Sequence, residues 1–228
     1  MTLPQISPPT AGFRSAIALA VVGATLQLIG LVVSAVAYTQ NNVEPYSCLN
    51  HFISELGWPE RSSMAWLFNG NLMVGSLLFA PLLYMLGRHL RTRFGYVAML
   101  VGFCSLLFAG AIGYFPIMKH LKPHLWVAFL SFAGWGATGL LFAVAFWARP
   151  GGRRAVFMIL AGAFAFLVVA AFLLWPKGDL PSVILMLKSD HRPVIWWPAV
   201  LEWGVLVSFY LWVVAASLAL EIGDGGKT

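Results

Sequence analysis

The chain of 228 residues and 24.9 kDa is 60% hydrophobic and only 10% charged, with a mean hydropathy of +0.83. Because a soluble domain usually carries about 25% charged residues, this composition excludes an ordinary soluble enzyme, a disordered chain and a secreted disulfide scaffold. The formal net charge of +6 does not indicate a nucleic-acid partner, since the basic residues are scattered between apolar runs. We therefore expect a polytopic membrane protein that forms one domain over residues 1–228.

Six apolar runs are each long enough to cross the hydrocarbon core of a membrane, for which about 20 helical residues suffice. They cover residues 15–38, 64–87, 94–118, 125–148, 155–176 and 193–220. The first five runs contain no charged residue, and the sixth contains only Glu202. The sequence predicts an all-α fold of six transmembrane helices, with short amphipathic helices on the outer face.

The basic residues of the connections predict the orientation. Two short connections, residues 88–93 and 148–154, are almost purely basic, whereas the connections on the opposite side mix basic with acidic residues. Since Lys and Arg are enriched in cytoplasmic loops, the short connections and both termini are predicted to be cytoplasmic. The long loops 39–63 and 177–192 would then lie outside.

The first outer loop contains an amphipathic pattern between Ser47 and Gly57. Its apolar residues recur at i, i+3, i+4 and i+7, which is helical spacing. They are Leu49, Phe52, Ile53 and Leu56. Ser47 is suited to begin a helix, and Gly57 with the following proline to end it. The pattern predicts a short helix over residues 47–56 that lies along the outer surface with its apolar residues buried.

His51, Ser54 and Glu55 lie towards the other side of this predicted helix, with His51 and Glu55 four residues apart. Two interpretations are open: the side chains form a site for a lipid headgroup or a metal ion, or the His51–Glu55 pair only holds the helix in place. The spacing does not by itself indicate a nucleophilic serine, because it does not bring the Ser54 hydroxyl to a base.

Amide side chains enter two of the predicted spans. Asn69 and Asn71 lie near the outer end of the second span, and Gln27 lies in the middle of the first. Such amides hydrogen-bond between helices, with couplings of about 0.6 kcal/mol on average, or line a polar cavity. Asn69 is included among the candidate pocket residues.

The connection before the fourth span is short and basic. Pro123 fits the first helical position of that span, so the first-turn amides would lie close to Lys119 and Lys122. These two lysines are candidates for an anion site, and Arg192 of the second long loop is a third.

A metal site in the same connection is an alternative that we do not expect. His120 and His124 are four residues apart, which suits one metal ion on a continuous helix, but Pro123 disfavours helix at Lys122. Other residues would have to complete the ligand set. The candidates for that role are His51, His191 and Glu55.

The second long outer loop carries an apolar run of its own at residues 183–187. Asp179 is placed to cap a helix there, and Pro181 fits an early helical position. About seven helical residues cannot span a membrane, so the loop is predicted to form a second interfacial helix that covers the outer face.

Glu202 is the one charged residue inside a predicted span. It lies nine residues after Pro193, roughly 13 Å down a helix, at a depth where a charge costs about 2.5–3.5 kcal/mol or more. It must therefore face the bundle and find a partner, either as a functional acid or within a structural ion pair or hydrogen bond. The candidate partners are His51, Arg61, His124 and Arg192. We expect Glu202 and His124 to share one polar pocket that opens outward between the fourth and sixth spans.

Three short motifs follow one another along the chain. They are Phe52-Ile53-Ser54-Glu55-Leu56-Gly57 after the first span, His124 with Ala128 and Phe132 in the fourth span, and Glu202-Trp203 in the sixth. In these motifs and in its six spans the chain resembles the family described as domain of unknown function 998 and the related eukaryotic Frag/DRAM/Sfk group. The resemblance implies lipid-associated roles and brings no established catalytic residue. The eukaryotic group favours Asp-Thr-Gly where this chain has Glu55-Leu56-Gly57, which implies the prokaryotic branch and a place in the cytoplasmic membrane of a prokaryote.

Three functions are compatible with this sequence. The first is binding of lipid headgroups or of a membrane-protein partner in an outward-facing polar pocket, with no cofactor. The second is an intramembrane lipid-modifying enzyme that uses His/Glu chemistry, with or without a metal ion. The third is a small transporter, although the sequence contains no internal repeat and only one interior charge, and transporters often have both a repeat and a coupling pair. The candidate pocket residues are His51, Ser54, Glu55, Asn69, His124 and Glu202.

Overall fold

The computed structural model describes residues 11–41, 44–148, 152–176, 178–189 and 191–221. These residues are mostly helical and include no β-strand. The helices are α1 (Ala11–Asn41), α2 (Ala65–Leu78), α3 (Ala80–Leu90), α4 (Arg93–Tyr114), α5 (Leu121–Trp147), α6 (Gly152–Leu174), α7 (Leu180–Lys188) and α8 (Trp197–Glu221), with one 3₁₀ helix at Ile53–Gly57.

Within the described residues, six helical segments are long and apolar enough to cross a membrane. They are Ala11–Thr39, Ala65–Leu90, Arg93–Tyr114, Leu121–Trp147, Ala155–Leu174 and Trp197–Leu220. These segments coincide with the six predicted runs, with ends shifted by a few residues, so the all-α architecture with six spans is confirmed. The second segment contains both α2 and α3. It is divided into two helices because Pro81, in the first turn of α3, has no N–H and interrupts the helical hydrogen bonds.

Small residues let the helices approach closely. Gly139 of α5 and Gly162 of α6 lie so near each other that a Cβ atom on either would meet backbone atoms of the other. Gly23 of α1 lies similarly against α2, where an added Cβ would be 2.8 Å from the Gly75 carbonyl oxygen. Close backbone packing of this kind holds helices together in lipid, where apolar side chains gain little by leaving the hydrocarbon.

The connections before α2 and before α8 pack against each other at one end of the bundle, which we call the long-loop end. The Trp196 amide donates a hydrogen bond to the Leu49 carbonyl oxygen at 2.8 Å, and the Phe52 and Trp196 rings lie 4.7 Å apart. Arg61 donates to the Lys188 carbonyl oxygen at 3.1 Å. The described parts of the two long loops therefore contact each other over this end.

The orientation of the bundle stays a prediction. It depends on the basic connections and on the termini. Part of connection 148–154, the first ten residues and residues 222–228 lie outside the described residues.

The helix predicted over residues 47–56 is wrong in form. The segment makes a turn at residues 48–50 and then continues as the short 3₁₀ helix Ile53–Gly57. Phe52 and Leu56 are buried as predicted, but Leu49 is 44% exposed. The polar side chains of the segment are buried as well. Residues 44–62 therefore extend into the end of the bundle, and we call them the lid.

The helix predicted in the second long loop is confirmed as α7. The Asp179 carboxylate accepts a hydrogen bond from the Ser182 amide at 3.2 Å, and Pro181 lies in the first turn. Leu187 is buried, whereas Leu185 is 73% exposed. This helix thus packs on the bundle with one side only, as an amphipathic segment does.

Candidate functional site

A buried ion pair joins the lid to the loop before α8. Arg192 donates to both carboxylate oxygens of Glu55, from Nη1 to Oε1 at 2.8 Å and from Nη2 to Oε2 at 2.7 Å. Neither side chain is exposed. Bidentate pairs of this kind are strong and geometrically specific, so this contact fixes the lid over the bundle.

The other donors of Arg192 are also used. Nη1, Nη2 and Nε donate to the carbonyl oxygens of Asn50, Leu187 and Ser189, at 3.2, 2.8 and 3.4 Å. Together with the two bonds to Glu55, all five N–H groups of the guanidinium have acceptors. Burial alone would lower the pKa of Arg192, but the hydrogen bonds and the charge of Glu55 raise this pKa above its ordinary value. The guanidinium is therefore charged. Burial raises the pKa of Glu55, and the hydrogen bonds and charge of Arg192 act against that rise.

Two carboxylates bind neighbouring amides of the lid. Glu55 Oε1 accepts a hydrogen bond from the Phe52 amide at 2.8 Å, and Glu202 Oε2 accepts one from the Ile53 amide at 2.6 Å. The amide and hydroxyl of Ser54 lie close to the Glu202 carboxylate as well. Because side-chain oxygens hold these amides, they are not available to the carbonyl groups of a preceding helical turn. This explains the short 3₁₀ helix where the sequence predicts a longer α-helix.

His51 lies among aromatic rings beside the ion pair. Its ring centroid is 5.2 Å from that of Tyr38 and 5.1 Å from that of Tyr46, and the residue is 1% exposed. Nδ1 lies 2.7 Å from Asn50 Oδ1, and Trp203 Nε1 donates to the His51 carbonyl oxygen at 3.2 Å. Burial lowers the pKa of His51 to about 4, so the imidazole is neutral at pH 7 and packs as part of the lid.

Beneath the lid a cavity of about 120 Å³ lies between α1, α2, α4, α5 and α8. Glu202 and Ser54 line the end under the lid, and Tyr210, Gln27 and Ser76 line the other end. The Tyr210 hydroxyl donates to Gln27 Oε1 at 3.1 Å, and Gln27 Nε2 donates to Ser76 Oγ at 3.5 Å. Since Tyr210 follows Glu202 by eight residues on α8, the two polar ends are roughly 12 Å apart.

The wall between these ends is mainly apolar. It includes Leu31, Leu72, Leu106, Ile112, Phe132, Val205 and Phe209. Trp135 also lines the cavity and is 4% exposed, and its Nε1 N–H has no hydrogen-bond acceptor within the part of the chain that the structure describes. The cavity is therefore an apolar space with a carboxylate at one end and a hydrogen-bonded amide at the other.

A family model described as a protein of unknown function (DUF998) matches residues 21–219 of the chain. The chain belongs to the DUF998 family. The resemblance drawn from the three motifs is thereby confirmed for this family, while the relation to the Frag/DRAM/Sfk group and the prokaryotic origin stay predictions. Comparison with curated proteins and with solved structures found no match.

In this DUF998 protein, four of the six predicted pocket residues meet at the long-loop end. His51, Ser54 and Glu55 come from the lid and Glu202 from α8. Asn69 lies at the edge of this group, where its Nδ2 donates to the Gly57 carbonyl oxygen at 3.0 Å and holds the end of the 3₁₀ helix. The structure thus brings these polar residues together, where they bind groups of the protein itself, and their role as a ligand pocket stays a prediction.

His124 does not share this site. Its Nδ1 lies 2.7 Å from the Phe115 carbonyl oxygen, at the end of α4, and the side chain is buried there. No hydrogen bond joins His124 to Glu202 in residues 11–221 as far as they are described, and Glu202 binds the Ile53 amide instead. The predicted Glu202–His124 pair is wrong, because His124 binds the Phe115 carbonyl oxygen and Glu202 binds the Ile53 amide of the lid.

The predicted anion and metal ligands are placed apart. Arg192 is not available to an anion, since all its donors are used, and that prediction is wrong. Lys119 and Lys122 are exposed, and their role in an anion site stays a prediction. His120 and His191 are exposed as well. The described residues contain no group of three or more His, Cys, Asp or Glu side chains that could hold a metal ion.

The inner end of the cavity was not predicted from the sequence. Gln27 bridges α8 and α2, so it acts as the predicted interhelical amide and also lines a cavity. Tyr210 was not singled out. The signal that could have found it is its place two helical turns beyond Glu202, on the same side of α8.

Proposed function

We propose that this protein binds an amphiphile with a single apolar chain in the cavity under the lid. The observation that carries the proposal is the distribution of polar groups, with Glu202 and Ser54 at one end, an apolar wall, and the Tyr210–Gln27 hydrogen bond at the other end. Ligand sites are typically apolar spaces in which a few polar groups fix the orientation, and they are often found between the helices of a bundle.

The volume of the cavity limits the size of the ligand. An engineered apolar cavity of about 150 Å³ in another protein binds benzene, and the cavity here is somewhat smaller, at about 120 Å³. It therefore has room for one short chain or ring, and a lipid with two acyl chains would fit only if the helices moved apart.

The arrangement of the lid argues against binding of an anionic headgroup at the long-loop end. Such a group would have to displace Arg192 from Glu55, and breaking a buried ion pair costs about 3–5 kcal/mol. A ligand chain in the cavity leaves this pair intact. The proposal therefore replaces the headgroup site at the surface with a chain site beneath the lid.

The lipid-modifying enzyme and the transporter stay predictions. A His/Glu mechanism would need a histidine next to Glu202, and the two buried histidines bond to other groups: His51 Nδ1 lies against Asn50, and His124 Nδ1 against Phe115. We therefore base the proposal on binding alone.

The test of the proposal is retention of ligand by a variant in which the cavity is filled. Ala109 of α4 lines the cavity, and Ala109→Phe adds a ring of about the size that such a cavity accepts. We expect native mass spectrometry of the purified wild-type protein to detect bound single-chain amphiphiles and the variant to lose them.

The matched control is Leu107→Phe on the same helix, because Leu107 is 61% exposed on the surface of the bundle and does not line the cavity. This variant should retain the same ligand as the wild type. Equal retention by Ala109→Phe and Leu107→Phe, with both proteins folded, would contradict the proposal.

A further inference from the structure

Resting on the proposed function, we infer that the ligand of this cavity carries a protonated amine, which binds the carboxylate of Glu202. The binding site is the end of the cavity under the lid, where Glu202 and Ser54 lie. The apolar chain of the ligand extends from there toward Tyr210. The ligand class is thus an amphiphilic amine with a chain that fits a slot of roughly 12 Å.

The charges of the lid leave Glu202 without a cation. Glu55 and Arg192 neutralise each other through two hydrogen bonds, and the guanidinium has no N–H left for Glu202. Among the described residues, no Lys, Arg or His side chain forms an ion pair with Glu202. The carboxylate of Glu202 is therefore the acid of this cluster that lacks a basic side chain.

Glu202 can be reached from the cavity. The residue is only 7% exposed, yet its side chain forms part of the cavity surface. The Ile53 amide uses Oε2, at 2.6 Å. A group that enters the cavity can thus reach this carboxylate without opening the Glu55–Arg192 pair.

The carboxyl group of Glu202 selects a ligand through its charge. A buried carboxyl group is charged only where a cation compensates it, and buried charges in proteins are paired. An ammonium group supplies both the positive charge and N–H donors, an alcohol supplies a donor without charge, and a carboxylic acid adds a like charge. Selection among ligands of equal chain length should therefore follow the order amine, alcohol, carboxylate.

The experiment compares four probes with the same chain, namely octylamine, 1-octanol, octanoic acid and octane. Each is titrated at pH 7 into the protein in phosphatidylcholine nanodiscs, with empty nanodiscs as the blank, and the dissociation constant is taken from the shift in thermal unfolding. An alkylamine is protonated at this pH, as lysine is. We expect octylamine to bind about tenfold or more tightly than 1-octanol, which is the range of a charge-assisted hydrogen bond, and octanoic acid to bind most weakly.

The variant Glu202→Gln keeps the shape and an acceptor for the Ile53 amide but cannot become negatively charged, so it should lower the affinity for octylamine to that for 1-octanol. Glu60→Gln, at an exposed position of the lid, makes the same chemical change away from the cavity and should retain the preference for the amine. The order of the four probes on the wild-type protein tests the inference even if Glu202→Gln does not fold.

The outcomes separate this inference from the proposed function. Equal binding of octylamine, 1-octanol and octane, abolished by Ala109→Phe, would overturn the inference and support the cavity as a binding site. Tightest binding of octanoic acid would also overturn it. If none of the probes binds and Ala109→Phe changes nothing, both proposals are wrong.

Discussion

The lid and the connection between α4 and α5 both place histidine beside charged residues at the same end of the bundle. In the lid, His51 and Glu55 are almost completely buried. In the connection, Lys119 and His120 are exposed. The two regions differ in the sign of their charges and in the partners available to them.

The lid has partners on other elements, one of them a cation and the other a hydrogen-bond acceptor. Arg192 arrives from the loop before α8 and satisfies Glu55, and Glu202 arrives from α8 and binds the Ile53 amide. The connection and the first turn of α5 offer two lysines and no acid, so these charges stay in the solvent. In the lid, distant residues complete the hydrogen bonds of the buried polar groups.

Loss of the ion pair should have the largest effect on the stability of the protein. Arg192→Met leaves a buried carboxylate at Glu55 without its cation, and we expect it to destabilise the protein by about 3–5 kcal/mol, measured as thermal unfolding in detergent. The double variant with Glu55→Gln should recover much of that loss, because no charge is then left unpaired. A loss below about 1 kcal/mol for Arg192→Met would mean that the pair does not hold the lid.

Removal of Glu202 tests the second contact of the lid. Glu202→Ala leaves the buried Ile53 amide without its acceptor, so we expect a loss of about 1.5–3 kcal/mol, and a smaller one for Glu202→Gln. His124→Ala should add to either variant within about 0.5 kcal/mol, because His124 bonds to Phe115 and not to Glu202. A larger coupling in this double-mutant cycle would show that the two residues share a site after all.

Acid should weaken the lid through His51. Because the folded-state pKa of about 4 is below the ordinary value near 6.5, the unfolded chain binds more protons between these two pH values. Stability is therefore complete above about pH 6.5 and falls as the pH approaches 4. We expect the free energy of unfolding to fall by about 1–2 kcal/mol between pH 7 and pH 5. Thermal unfolding at each pH measures this loss. The loss should be smaller in His51→Asn and unchanged in His120→Asn, whose side chain is exposed; equal pH profiles for all three proteins would argue against this role of His51.

The smallest effect is expected in the connection itself. Lys119→Gln and Lys122→Gln change exposed side chains, so each should shift stability by no more than about 0.5 kcal/mol. The wild-type protein and these variants can also be titrated with inorganic phosphate. A phosphate-dependent rise in the unfolding temperature of the wild-type protein that disappears in both variants would support the predicted anion site.

The sequence predicted those features of the fold that depend on local composition. The six spans follow from apolar length, and α7 follows from Asp179 and Pro181, which act within their own turn. Glu202 was assigned to the interior because a charge at that depth needs a partner. These inferences need no knowledge of which helices are neighbours.

The details of the site depend on contacts across the chain, and there the prediction from sequence was incomplete. The 47–56 segment has helical spacing, but Glu202 binds its Ile53 amide from 149 residues away, which local periodicity cannot reveal. Arg192 was recognised as a cation at this end but assigned to an anion, because the sequence does not state that Glu55 reaches it. The cavity depends on the shapes of five packed helices and leaves only weak traces in the sequence.

The separation of these contacts along the chain has a consequence for biosynthesis. The lid follows the first span, but Glu55 meets Arg192 only 137 residues later and Ile53 meets Glu202 only after 149. At a synthesis rate of about 5–20 residues per second, roughly 7–30 s pass before these partners leave the ribosome. Throughout that interval the histidine, the glutamate and the free amides of the nascent first loop remain hydrated. The first loop to be made is therefore among the last parts of the protein to reach its final structure, and it can do so only after the last helix has entered the bilayer.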